Sequence, residues 1–398
     1  MKQNKKSLRL VLVALLAVVA LFTGLVSADA TKSIKVNTSY SGTPEERKYD
    51  LYEFKLSGSG KVNIQLKHEN LYEKDVYYTV EVLAGDLETV IQTFDSTGTD
   101  ASLTGASLGL TKGTYYVKVY ARKDCSHKYS DKPYSMMVKF KRSDSWEIEY
   151  DAEKKKGNDS QGTATAMKIG TFSYGTIASD KDVDFFKVTV KKNGYLNMNF
   201  RHPNIYEKDV YWNVKLMNGK VEQMFELNSA GTKKSQYSAK IGVTPGTYFV
   251  RVAAGSYSKY NSKDYRVKVN FTPSSAWEKE YTSKTDKYND YMSSANKLKF
   301  NKKMTGSISK ETDVDYYKFT SRVARQLTIR FEHQYRAKRQ KYWKVTLVNS
   351  NLKEIMSFTS RGFNSSLTKR KYIGKCTYFI KVEKSDKWLT NPYMITIS

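Results

Sequence analysis

The sequence predicts an all-β protein: three tandem antiparallel β-sandwiches, jelly-roll-like, behind an N-terminal signal peptide. Two observations carry that prediction. The segment HENLYEKDVYY at 68–78 returns as HPNIYEKDVYW at 202–212, and in weaker form as HQYRAKRQKYW at 333–343. Self-similarity at a long fixed period marks tandem units. Each copy also follows a run in which apolar and polar residues alternate up to the histidine: Val62, Ile64, Leu66, His68; Leu196, Met198, Phe200, His202; Leu327, Ile329, Phe331, His333. Period two is a strand with one buried and one wet face.

Taken in order, residues 1–30 read as the signal peptide. Lys2, Lys5, Lys6 and Arg9 precede an unbroken apolar run, Leu10 to Phe22, and small residues follow at Ala28 and Ala30. A basic head, a short apolar run and an A-x-A-like site form a secretory leader. The alternative, an uncleaved anchor, needs about 20 apolar residues. Unit 1 spans 31–143, unit 2 spans 144–274 and unit 3 spans 275–398. Within unit 1, further strands read over 78–83, 115–120 and 134–140, with Gly, Asn, Ser and Lys turns between them and counterparts later in the chain. Helix-like stretches appear only at the joins, 146–153 and 277–281. Without alternating helices, such strands assemble as sandwiches and not as a parallel sheet.

Composition narrows the function classes. Aromatic residues at 13%, with 31 Tyr, argue against disorder. Two Cys, at non-equivalent positions 125 and 376, are too few for a disulfide scaffold or a four-Cys zinc site. The chain carries +27, and the excess is lopsided: residues 281–398 hold 25 basic and 9 acidic residues, while 31–145 hold 17 and 15. A charge balance of this kind points to an anionic partner.

Unit 2 carries Asp182-Val183-Asp184-Phe185-Phe186 after the turn Gly175-Thr176-Ile177, and unit 3 carries Asp313-Val314-Asp315-Tyr316-Tyr317 after Gly306-Ser307-Ile308. Each leads into an alternating strand and later into a Gly-Thr-Tyr-Phe-Val-like strand. This pattern resembles the bacterial pre-peptidase C-terminal domain and the collagen-binding domains of clostridial collagenases. Unit 1 departs from it, with Lys48-Tyr49-Asp50 at the acidic position, and no peptidase domain accompanies the copies. The resemblance implies a β-sandwich with a binding or stabilising role, and calcium held by a linker and a following turn.

The calcium candidates are Glu147, Glu149, Asn158, Asp159, Asp182 and Asp184 before unit 2, and Glu278, Glu280, Asn289, Asp290, Asp313 and Asp315 before unit 3. Calcium takes six to eight oxygen ligands, which carboxylates and an Asn supply; the plainer alternative is turn-capping Asp and Asn beside solvated Glu. The anion-binding candidates lie in unit 3, where Tyr-Glu-Lys-Asp-Val-Tyr becomes Tyr335-Arg336-Ala337-Lys338-Arg339-Gln340-Lys341-Tyr342: Arg322, Arg325, Arg330, Arg336, Lys338, Arg339, Lys341, Arg361, Lys369, Arg370 and Lys371. Arg suits bidentate contact with phosphate or carboxylate; a solvated, solubilising face is the alternative.

Signals of catalysis are poor. His68, His202 and His333 continue the inward alternation, one per unit, and read as strand-end core histidines. Gly105-Ala106-Ser107-Leu108-Gly109 matches G-x-S-x-G, but that chemistry needs a strand-to-helix turn in an α/β sheet. The expectation is a secreted or envelope-associated, non-catalytic protein that binds an anionic cell-wall polymer or polysaccharide. An accessory partner of a secreted enzyme system and a hydrolase with an unrecognised site are the alternatives. Nucleic acid is disfavoured for want of any nucleic-acid motif.

Overall fold

A computed structural model describes residues 30–398 except 44, 47 and 122–127. Residues 1–29 of the predicted leader (1–30), with Cys125 and His127, therefore lie outside the described residues. The alternating runs do form strands, and apolar residues on their inner faces make the cores. In the first pair of sheets, Gly60–His68 buries Val62, Ile64 and Leu66 completely against Tyr52, Val80 and Val117 of the facing sheet.

One strand order recurs three times. Lys32–Ser33, Tyr49–Leu56, Gly113–Tyr120, Val76–Leu83 and Val90–Thr97 lie side by side in that order, and Lys32–Ser33 runs parallel to its neighbour. The facing sheet runs Ser39–Gly42, Tyr134–Arg142, Gly60–His68, Ser102–Thr104. The same order returns through Thr165–Ala166, Val183–Val190, Gly246–Ala254, Val210–Met217 and Gln223–Ala230, and again through Asn296–Lys297, Val314–Ser321, Cys376–Lys384, Lys341–Asn349 and Glu354–Arg361. The chain divides into two compact bodies, 1–156 and 157–398, and the second holds two of the three sheet pairs.

The helices expected at 146–153 and 277–281 do not form. The helical elements among the described residues are three single 3-10 turns, Gln161–Thr163, Ser256–Ser258 and Met292–Ser294. No helix among the described residues is long and apolar enough to cross a membrane. The joins are extended instead. Trp277 bridges Thr305, and Tyr281–Thr282 pairs with Ile241–Val243 on one side and Lys287–Tyr288 on the other. The period-two burial of Glu278 and Glu280 is the reason, because a helix would send them to different faces.

Glycine makes that approach of chains possible. A Cβ on Gly242 would collide with the Glu278 carbonyl, and one on Gly109 with the Glu147 carbonyl. Gly109, the last residue of the hydrolase-like motif, thus has a packing role that Gly242 repeats.

Candidate functional site

The acidic join before the third sheet pair folds inward. Glu278, Glu280, Asn289, Asp313 and Asp315 are each at most 1% exposed, and Asp290 lines the same group. Carboxylate oxygens of Glu278, Glu280 and Asp315 lie within 4.8 Å of one another, as do those of Glu280, Asp290 and Asp313, so Glu280 belongs to both triads. Short neighbours hold the frame. Ser307 N donates to Glu278 Oε1 at 2.7 Å, Tyr317 OH to Glu278 Oε2 at 2.5 Å, and Tyr393 OH to Asp315 Oδ2 at 2.5 Å. Asn289 Nδ2 donates to Asp315 Oδ1 at 2.8 Å.

What is left over identifies the chemistry. Both oxygens of Glu280, Oδ1 of Asp313 and Oδ1 of Asn289 are buried without a hydrogen-bond partner. No lysine or arginine among the described residues comes within ion-pairing distance of these five carboxylates. Burial pushes Glu278, Glu280 and Asp313 well above the usual carboxylate range, and their mutual repulsion adds to it. Burial pushes Asp315 up to about 7. Buried charge costs several kcal/mol per group unless it is neutralised. An all-oxygen set of this size, hard and anionic, fits a cation such as calcium. Glu278, Glu280, Asp290, Asp313, Asp315 and the Asn289 carbonyl would hold it, and the ion would supply the charge that orders the join.

The set predicted before the second sheet pair is divided between the bodies: Glu147 and Glu149 belong to the first, Asn158, Asp159, Asp182 and Asp184 to the second. Within the second body, Asp184 accepts from Asn158 Nδ2 at 2.9 Å and Tyr265 OH at 2.6 Å, and Ala178 N caps Asp182 at 2.5 Å. Burial, and then the Asp184 charge, pushes Asp182 up to about 8. In the first body the equivalent Asp50 accepts from Tyr134 OH at 2.6 Å and pairs with the Lys32 ammonium at 2.8 Å.

The basic residues of unit 3 fall into groups. Arg336, Lys338 and Arg339 occupy the loop after the strand Arg325–His333, and Lys341 and Arg361 face each other in register beside it. That loop lines an open depression of about 390 Å³ with Gln334, Tyr335 and Asn391. Lys369, Arg370 and Lys371 are exposed on the edge strand Ser366–Ile373. Arg322 sits in the turn that leads into Arg325–His333; Arg325 lies over the Phe300 ring at 4.5 Å, and Arg330 pairs with Glu332 at 2.8 Å. Apart from Arg330, none of the eleven has an acidic partner among the described residues.

The three histidines repeat one arrangement. His68, His202 and His333 share Nδ1 with the next residue's carbonyl and Nε2 with Ser96, Ser229 and Ser360, at 2.6–2.9 Å. His202 stacks on Trp212 at 4.1 Å, and His333 lies tilted against Trp343 at 4.2 Å. Both ring nitrogens are occupied, which leaves neither for a metal. Ser107 is buried between two short strands and accepts from Asn63 Nδ2 at 3.0 Å; it sits on no strand-to-helix turn.

No family model and no curated protein matches the chain. Solved structures do. The pre-peptidase C-terminal domain of a collagenase from Bacillus anthracis is 19% identical, over 28% of this chain and 97% of that domain, with a TM-score of 0.23. The CUB1-EGF-CUB2 domains of rat MASP-1 are 11% identical over 58% of this chain and 99% of theirs, TM-score 0.19. The PBSX exported protein XepA is 8% identical over 66% of this chain and all of its own, TM-score 0.21. This chain is similar to each of them in β architecture, and no activity comes with that likeness.

Proposed function

We propose that this chain is an exported, non-catalytic binding protein. Its C-terminal sheet pair holds an anionic envelope polymer or polysaccharide, and calcium orders the acidic join before that pair. The observation that carries the reading is the loop cluster Arg336, Lys338, Arg339, Lys341 and Arg361. These are five basic residues from one loop and two strand ends, and none has an acidic partner among the described residues. Exposed charges of one sign repel one another, and a polyanion relieves that repulsion through many weak contacts. The calcium part is supported by the buried oxygens of Glu280, Asn289 and Asp313 that lack partners.

The test is retention on isolated cell walls at two salt concentrations. Wild-type protein is expected to release as salt shortens the Debye length from about 10 Å at 0.1 M to 3 Å at 1 M. Arg336→Gln, Lys338→Gln and Arg339→Gln together are expected to weaken low-salt retention about tenfold, the effect of about 1.4 kcal/mol. Retention unchanged by both salt and the triple substitution would show the reading to be wrong.

A further inference from the structure

The geometry points to a second anion site, on the outer sheet face of the middle sheet pair, built for the phosphodiester of a polyol- or sugar-phosphate polymer. The strands Gly194–Arg201 and Tyr265–Pro273 place Arg201 directly opposite Arg266, and Lys268 opposite Asn199. All three cations converge on one ring: Arg266 Cζ and Lys268 Nζ lie 4.8 Å, and Arg201 Cζ 5.2 Å, from the Phe172 centroid. The three charges therefore share a space no wider than about one Debye length in dilute salt. None has an acidic partner among the described residues. Tyr237, 59% exposed, completes the patch and accepts from Arg201 Nη2 at 3.3 Å.

A single aromatic ring offers its negative face to a cation but does not neutralise three. Nor does the fold require them. At the same register positions the first sheet pair has Lys67 opposite Ser135 and Gln65 opposite Met137, and the third has Glu332 opposite Met394 and Arg330 opposite Thr396. The triple positive cluster belongs to the middle pair alone. Arg201, whose Nε donates to Asn199 Oδ1 at 2.7 Å, and Arg266 stand side by side on one sheet face, and the two non-bridging oxygens of a phosphodiester project tetrahedrally and accept from several sides, so one group can bond to both arginines. A flat sheet face repeats its contacts along an extended chain and encloses no small molecule.

The experiment measures binding of the full-length protein to poly(glycerol phosphate), polygalacturonate and duplex DNA at matched charge concentration. Arg201→Gln with Arg266→Gln is expected to lower affinity for poly(glycerol phosphate) about tenfold and to weaken polygalacturonate binding by a clearly smaller factor. Arg201→Lys with Arg266→Lys keeps the charge and is expected to lose most of the same affinity, because the forks are gone. The Arg336/Lys338/Arg339 triple variant separates this site from the loop cluster: in that background the Arg201/Arg266 effect is expected to persist, whatever the triple variant itself does. No loss in either double variant, an equal loss toward polygalacturonate, or duplex DNA bound more tightly than poly(glycerol phosphate) would each overturn the assignment.

Discussion

Glu280 is the residue under the greatest electrostatic stress: it is buried, it belongs to both carboxylate triads, and neither oxygen has a hydrogen-bond partner. Its replacement separates charge from packing. In chelator, Glu280→Gln is expected to raise the melting temperature by about 3–6 °C, equivalent to about 1–2 kcal/mol in a body of this size, because Gln is neutral already and the cost of protonating the buried Glu280 on folding disappears. With calcium present, the same variant is expected to lose the calcium-induced rise seen in wild type. A calcium response that survives intact would remove the ion from this site.

Acidity gives a second test at the same scale. Asp315 goes from 3.8 to about 7 and Asp182 from 3.8 to about 8, so the folded chain binds their protons more tightly than the unfolded chain does. Metal-free stability is therefore full below about pH 4 for these groups and is lost as pH rises through 7 and 8. Burial moves His202 and His333 the other way, below the usual imidazole value, so they cost stability as pH falls below 6.5. The clean readout is the difference between wild type and Asp315→Asn in chelator, which is expected to grow between pH 5 and pH 8. Calcium is expected to flatten it, since the ion takes the deprotonated form.

At the scale of elements, the edge strand Ser366–Ile373 carries its own explanation. Lys369 and Lys371 stand in register with the core-facing Ile329 and Leu327, so they point toward the inner side of an unpaired edge. Inward-pointing lysines on an edge block the addition of another strand. Lys369→Val with Lys371→Val is expected to make the protein self-associate at tens of micromolar, with a rise in sedimentation coefficient or light scattering; a monodisperse double variant would refute this role. These two lysines, predicted as polymer contacts, thus have a use that needs no polymer.

Elements also mark how far the sequence could be read. Alternation with repetition identified the strands around His68, His202 and His333, because one wet face leaves period two in the letters. The helix expected at the joins fails because Trp277–Tyr281 is too short to show its period; the partners Ile241–Val243, Lys287–Tyr288 and Thr305 reveal that it is extended. The acidic residues of the third join were legible as a set, since the chain returns to them within 40 positions. The Arg201, Arg266 and Lys268 cluster was not. Sixty-five positions separate the two arginines, and only the pairing register brings them face to face.

Across the whole molecule, three copies of one topology treat the same aspartate in two ways. Asp184 and Asp315 take an Asn amide and a Tyr hydroxyl, while Asp50 takes a Tyr hydroxyl and the Lys32 ammonium. Lys32 and Asn296 occupy equivalent register positions, opposite Tyr52 and Tyr317. The first body thus brings its own positive charge to a place where the last sheet pair has an uncharged amide. Calorimetry in chelator is expected to lower the transition of 157–398 and to leave that of 1–156 within about 1 °C. Equal shifts in both would show that the lysine does not substitute for the ion.

The extended join around Trp277–Tyr281 has a mechanical consequence. Its backbone bonds to Thr305 on one side and aligns Tyr281 with Val243 on the other, while its two glutamates reach into the acid cluster. These contacts tie the middle and the last sheet pair to one short segment. An ion bound there would act as a rivet, and the force needed to extend the molecule would follow the calcium concentration of its surroundings.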